Sequence, residues 1–264
     1  MRAALLKVCA FSLIVVTGAW ADTASRHDHN NIRTVNHAFT AGEKLTYSVS
    51  WSDVLQAGIA VMEVAAGTSD DNRPEYLFRS STRSVGMVDA VYPVRDFVES
   101  VVDAADLTSV RFSLRESHGK KKRERDMVFD RGNSTVKVTI NGVAATYPVP
   151  ERVQDALSSL YYVRTRTDFN VSKPMVIDVH DSGKTWAVEV QTLGREHITT
   201  PAGAFDTIVV KTYPKYEGVF MHKGEITIWL TDDARKLPVL MKSKISIGSI
   251  VATLIEVQEG KGNP

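Results

Sequence analysis

From Phe39 onward, short runs of β-branched and aromatic residues recur with turn residues between them, a pattern that predicts many strands and few helices. The clearest runs are Lys44 to Trp51, Gly58 to Ala66, Glu75 to Thr82, Phe97 to Asp103, Ser109 to Ser117 and Arg125 to Asp130. In the first, Leu45, Tyr47, Val49 and Trp51 alternate with Lys44, Thr46, Ser48 and Ser50, as a sheet with one wet face requires. Asn141-Gly142, between Thr135–Ile140 and Val143–Val149, predicts a type I′ hairpin because both positions tolerate positive φ. Asp181-Ser182-Gly183 predicts a similar link from Met175–Val179 to Thr185–Leu193. A further hairpin is expected from Gly224–Leu230 into Val239–Ile247, with Ile250–Val257 as the closing strand.

One stretch breaks this period. Val153, Ala156, Leu157, Leu160, Tyr161 and Arg164 recur at helical spacing after Pro148 and Pro150, and a weaker helical turn is expected over Ser84–Val91 before Pro93. The expected fold is mainly β: a strongly curved antiparallel sheet, an open half-barrel or spiral, wrapped around one main α-helix that covers its inner face. A closed barrel is the alternative.

The first residues carry a different pattern. Arg2 and Lys7 accompany an apolar run, Val8 to Val16, too short to span a bilayer, and Ala19-Trp20-Ala21 is a small-x-small cleavage pattern. A signal peptide over 1–21, cleaved after Ala21, is therefore expected, which places the product in the periplasm. A polar, His- and Asn-rich flexible segment is expected over 22–38, and a single β-rich domain over 39–260. Cys9, the only cysteine, would leave with the signal peptide, which excludes a disulfide framework and a thiolate site. Without Arg2 and Lys7 the formal charge moves from +1 to about −1, a balance that argues against nucleic acid as a partner.

Several segments together resemble an exported bacterial family known only as domain of unknown function 3108. They are Ala41–Tyr47, Asp155–Arg164, Thr200–Phe205, and Ile228–Asp233 followed by Arg235 and Leu237–Val239. The last segment is also similar, locally, to the half-barrels of periplasmic lipoprotein carriers and their receptors. That resemblance implies a helix-covered apolar cavity and, by analogy of fold, a hydrophobic ligand.

Candidate chemistry is sparse. There is no Gly-x-Ser-x-Gly elbow and no phosphate-binding glycine loop, and His180-Asp181-Ser182 are consecutive at a turn, where neighbours point to opposite faces. No catalytic residue, cofactor or metal is assigned. His27, Asp28 and His29 read as a solvated tail, Asp232-Asp233 as a turn, and Lys120–Arg125 as a solvated hairpin tip whose alternative is contact with lipid phosphate. The candidate ligand-binding residues are Trp51, Met62, Phe78, Leu157, Tyr161, Trp186 and Trp229, with Phe112, Phe220 and Met221 beside them.

The expectation is a non-enzymatic module that binds a lipid or lipoprotein, peripheral to a membrane at most. A filled-core scaffold for an envelope protein is the alternative, and a glycan or lipid hydrolase using Glu43, Asp96, Glu99 or Asp155 is the third reading. Oligomeric state, ligand and partner identity are not legible.

Overall fold

The structure, a computed structural model, describes residues 36–216, 219–220, 225–245 and 248–261. The expected signal peptide and its cleavage site, residues 22–35 of the polar leader, and Met221 lie outside the described residues.

The described residues form one 15-stranded antiparallel sheet and two helices. The strands are β1 (Lys44–Trp51), β2 (Leu55–Thr68), β3 (Pro74–Ser84), β4 (Val94–Asp103), β5 (Ser109–His118), β6 (Lys121–Asp130), β7 (Thr135–Ile140) and β8 (Val143–Pro148). They continue as β9 (Met175–Asp181), β10 (Lys184–Thr200), β11 (Gly203–Tyr216), β12 (Val219–Phe220), β13 (Ile226–Thr231), β14 (Pro238–Lys244) and β15 (Ser249–Gln258). The helices are α1 (Gly86–Val91) and α2 (Ala156–Arg164). The spatial order is β8-β7-β6-β5-β4-β3-β2-β1-β15-β14-β13-β11-β10-β9, with β12 paired to the end of β11. Neighbours in space are neighbours in sequence except where β1 meets β15 and where β11 meets β13, so nearly every ladder is a hairpin.

β8 and β9 are the two ends of the sheet and do not pair with each other, so the sheet is not closed into a barrel. It nevertheless bends until both halves reach one segment. Gln154 donates its N–H to Asp178 O (2.8 Å) and accepts from His180 N (2.8 Å), while Ser109 N donates to Val153 O (3.3 Å). A segment of the β8–α2 connection therefore joins β9 to the start of β5, satisfying backbone groups that a ladder would otherwise use.

The alternation expected for β1 is present: Leu45, Tyr47 and Val49 are buried, and the residues between them are only partly so. Asn141 and Gly142 have φ of 47° and 86°, as a type I′ turn demands, and Ser182 and Gly183 repeat the pattern at 51° and 89°. Two boundaries differ from expectation. β10 runs to Thr200 and is followed at once by β11, a long hairpin that its mixed polar composition concealed. The flexible leader expected to reach Ala38 is anchored sooner, because Asn36 Nδ2 bonds Phe39 O (3.0 Å) and Tyr76 Oη (3.1 Å) and Ala38 is buried.

Candidate functional site

α2 is fixed at both ends. Asp155 caps it, accepting from Leu157 N and Ser158 N (2.9 Å each), while Ser158 Oγ accepts from Asp155 N (2.9 Å) to complete a capping box. The second Asp155 oxygen accepts from Ser100 Oγ (2.6 Å) and Ser109 Oγ (2.8 Å), which ties the cap to β4 and β5. At the other end Arg164 is buried on the same stripe as Tyr161 and pairs with Glu43 beside β1. Between these anchors Tyr161 stacks on Phe78 with ring centroids 3.8 Å apart.

Above the helix lies a chamber of about 130 Å³. Ala156, Leu157, Leu160 and Val163 form its helical wall, and apolar side chains from across the sheet, including Met62, Val98, Trp186 and Met241, form the rest. Charge enters at one end through Asp96, Arg125 and Asp181. The inward phase of β5 and β6 explains this gradient: Phe112 and Leu114 are followed by Glu116 and His118 on one strand, and Lys121, Arg123 and Arg125 precede Met127 and Phe129 on the other. The interior is thus ionisable near the β5–β6 turn and apolar deeper in.

The charged end is tightly packed. Arg125 Nη1 donates to Asp181 and Ser182, and its guanidinium lies 5.5 Å from the Phe112 ring centroid. Burial pushes the Asp181 carboxyl up to about 6, although Arg125 pulls the other way. Asp96 Oδ1 bonds His118 Nε2 (2.8 Å); burial raises the Asp96 carboxyl, and the bond to Asp96 raises the imidazole. Behind β9, His180 faces Phe129 and Tyr147 with its Nδ1 3.0 Å from Thr185 Oγ1, and burial holds it neutral with a pKa near 4. Asp96, Glu116 and His118 offer ligand atoms within 4.8 Å of one another, a spacing that suits a cation. Arg123, opposite Glu116 across the ladder, adds positive charge beside them.

A second groove, about 470 Å³, crosses β2–β6. Ile59, Val61, Arg83, Phe97 and Arg115 line it, and Thr82 and Asp96 line both this groove and the chamber.

Residues 46–255 match the family described as "Protein of unknown function (DUF3108)". The chain belongs to that family. Among curated proteins none matches the sequence. Among solved structures, a β-barrel-like protein of domain of unknown function DUF1849 from Brucella abortus superposes with a TM-score of 0.57 at 12% identity, covering 85% of this chain and 100% of that one. A protein from Bacteroides fragilis described as exported, with a YmcC-like fold, gives a TM-score of 0.35 at 12% identity, covering 84% of this chain and 97% of that one. A protein from Parabacteroides distasonis described as a lipoprotein gives 0.36 at 13% identity, covering 87% and 100%. The first likeness supports the barrel-like fold of this DUF3108 chain.

Of the seven candidate ligand residues, Met62, Leu157 and Trp186 line the chamber of this DUF3108 domain. Phe78 and Tyr161 are fully buried and stack on each other, and Trp51 packs at the edge of the core. Trp229 does not line the chamber: it packs, partly buried, against the core, and its Nε1 donates to Glu196 Oε2 (2.7 Å). Phe112 lines the chamber, whereas the Phe220 side chain is outside the described set.

The four acids considered for hydrolysis have separate engagements: Glu43 with Arg164, Glu99 with Arg79 (2.7 Å), Asp155 with the helix cap, and Asp96 with His118. Two residues of the polar end were missed. Arg125 had been grouped with a solvated tip and Asp181 with a turn, yet both are buried and face the chamber.

Proposed function

We propose that this DUF3108 chain is a non-enzymatic module of the bacterial periplasm that holds an apolar or amphipathic envelope component, a lipid or the lipid part of a lipoprotein, in support of outer-membrane assembly or integrity. The observation that carries this reading is the apolar chamber between α2 and the sheet, with charged side chains gathered at one end only. Binding would draw on buried apolar area, at about 25 cal/mol per Å², with the few polar groups setting orientation. An apolar cavity of about 150 Å³ accommodates benzene, so the chamber as it stands takes a short apolar group. A full acyl chain requires Leu157 and Leu160 to move aside, and in this reading the helix is a plug that a ligand displaces in part.

Native mass spectrometry of the protein purified from a periplasmic extract, followed by solvent extraction, tests this. A stoichiometric apolar adduct supports it; an adduct-free protein that also fails to take up short-chain amphiphiles overturns it. The second reading, an interaction scaffold, draws on β8, an edge strand exposed along most of its length and available for pairing with another chain. Cross-linking to a specific envelope protein with no bound small molecule would favour it.

A further inference from the structure

The charged end of the chamber carries hydrogen-bonding capacity that the chain itself does not use. Arg125, Asp181 and Asp96 are 2%, 4% and 9% exposed, and all three line the chamber. Yet Arg125 Nε, Asp181 Oδ2 and Asp96 Oδ2 are buried with no hydrogen-bond partner. Arg164, by contrast, is fully engaged, donating to both Glu43 oxygens and to the carbonyls of Ala38 and Arg235. Buried polar groups are normally paired, so three orphaned atoms on residues that line one cavity form a pattern that a bound group would complete.

The three atoms also specify what that group must be. Two are carboxylate oxygens, which only accept, and one is a guanidinium N–H, which only donates. The residues carrying them total two negative charges against one positive. An anionic head would satisfy Arg125 and leave both carboxylates facing a like charge, whereas a head with two O–H or N–H donors and one acceptor satisfies all three. Burial raises the carboxyls of Asp181 and Asp96 even though Arg125 and Ser182 on the one and His118 on the other pull down, so a further donor to each free oxygen would favour its ionised form.

Resting on the reading of the chamber as a ligand site, we propose that its occupant is a single-chain amphiphile with an uncharged or cationic, donor-rich head, bearing hydroxyl or amino groups. The head docks against Asp96, Arg125 and Asp181, and the chain runs towards Leu157 and Leu160. This orientation follows the interior gradient, ionisable near the β5–β6 turn and apolar towards α2.

The test is calorimetric titration of the full mature protein at pH 7 with three probes of equal chain length, each below its micellar concentration: 1-monolauroyl glycerol, dodecyl phosphate and dodecyltrimethylammonium. The first has two hydroxyl donors and no charge, the second is anionic, and the third is cationic without a donor. Each unmade bond to a buried charged partner costs roughly tenfold in affinity or more. The glycerol head is therefore expected to bind at least about tenfold more tightly than either of the others. Asp96→Asn, which swaps an acceptor for a donor at one corner, should narrow that ratio; an unchanged melting temperature in the variant would show that its fold is intact.

Equal affinities for all three probes would overturn the head-group inference and leave the apolar chamber as the site. Tighter binding of dodecyl phosphate would overturn it in favour of Arg125 as an anion site. Failure of all three to bind would remove the ligand reading itself, and this inference with it.

Discussion

Arg164 and Glu43, 121 residues apart, meet in a two-pronged ion pair: Nη1 to Oε1 at 2.7 Å and Nη2 to Oε2 at 2.8 Å. The pair is buried, and the guanidinium also packs against the rings of Phe39 and Tyr161, 5.4 and 5.2 Å from their centroids. It locks the last turn of α2 to the chain just before β1, so the helix cannot leave the sheet from that end without exposing a buried charge. Removing one partner of a buried pair costs about 3 to 5 kcal/mol, because the other is left unpaired. E43Q and R164M are each expected to lose stability in that range, read by urea denaturation. The E43Q/R164M double variant should lose less than the sum of the two. Additive losses would mean the two residues act independently.

The seam between the sheet's ends makes a second prediction. A Cβ at Gly183 would lie 2.7 Å from Tyr147 Cζ, whereas at Gly142 nothing lies within 4 Å, although both glycines have positive φ. G142A should therefore cost about 1 kcal/mol, the price of left-handed backbone alone. G183A adds a clash with the side chain that closes β8 over the β9–β10 turn, and a total of roughly 3 kcal/mol is expected. Hydrogen exchange separates the two. Only G183A should speed exchange at the amides of Gln154 and His180, whose bonds join the seam.

How much of this was legible in the sequence depends on phase. The β1 alternation and the Asn141-Gly142 turn are local signals, and both appear where the sequence places them. The apolar stripe of α2 is local too, although Arg164 on that stripe gave no sign that Glu43 would neutralise it. Arg125 was hidden by its charged neighbours from Lys120 onward. The run expected from Arg125 to Asp130 already sends Arg125 the same way as Met127 and Phe129, but the charged cluster that it closes outweighed that phase. Trp229 is the reverse case: its aromatic character suggests a ligand contact, yet it packs against the core and does not line the chamber. The approach of Asp181 to Arg125 depends on how far the sheet bends, which no strand's own sequence encodes.

Two consecutive residues of β9 give opposite pH signatures. Asp181 has a folded pKa near 6 against an ordinary value of 3.8, so its contribution to stability is present below 3.8 and lost as pH rises through about 6. His180 has a folded pKa near 4 against 6.5, so its contribution is present above 6.5 and lost as pH falls towards 4. In the wild type the two slopes largely cancel between pH 4 and 6. In D181N the opposing slope is gone, and stability relative to wild type should rise across that window by roughly 2 to 3 kcal/mol. In H180F it should fall by a similar amount. Urea unfolding at half-unit pH steps measures both, and parallel curves for the two variants would contradict the assignment.

The last prediction separates chamber from core. Ala60 on β2 faces the chamber, and A60L puts three extra carbon atoms into empty space instead of into packed side chains. Filling a dry cavity gains contacts, at about 0.8 kcal/mol per buried methylene, so the melting temperature of A60L should hold or rise while uptake of 1-monolauroyl glycerol falls at least tenfold. F78A is the counterpart. Phe78 is fully buried and stacked on Tyr161 but does not line the chamber, so its loss should cost about 3 to 5 kcal/mol of stability and leave the wall residues Met62, Leu157 and Trp186 in place. If A60L instead destabilises the protein and binding is unaffected, the space beside Ala60 is packing slack and the occupant lies elsewhere. If stability and binding part company as expected, the sheet needs Phe78 and Tyr161 for its fold, and keeps the volume above Leu157 and Leu160 for a ligand.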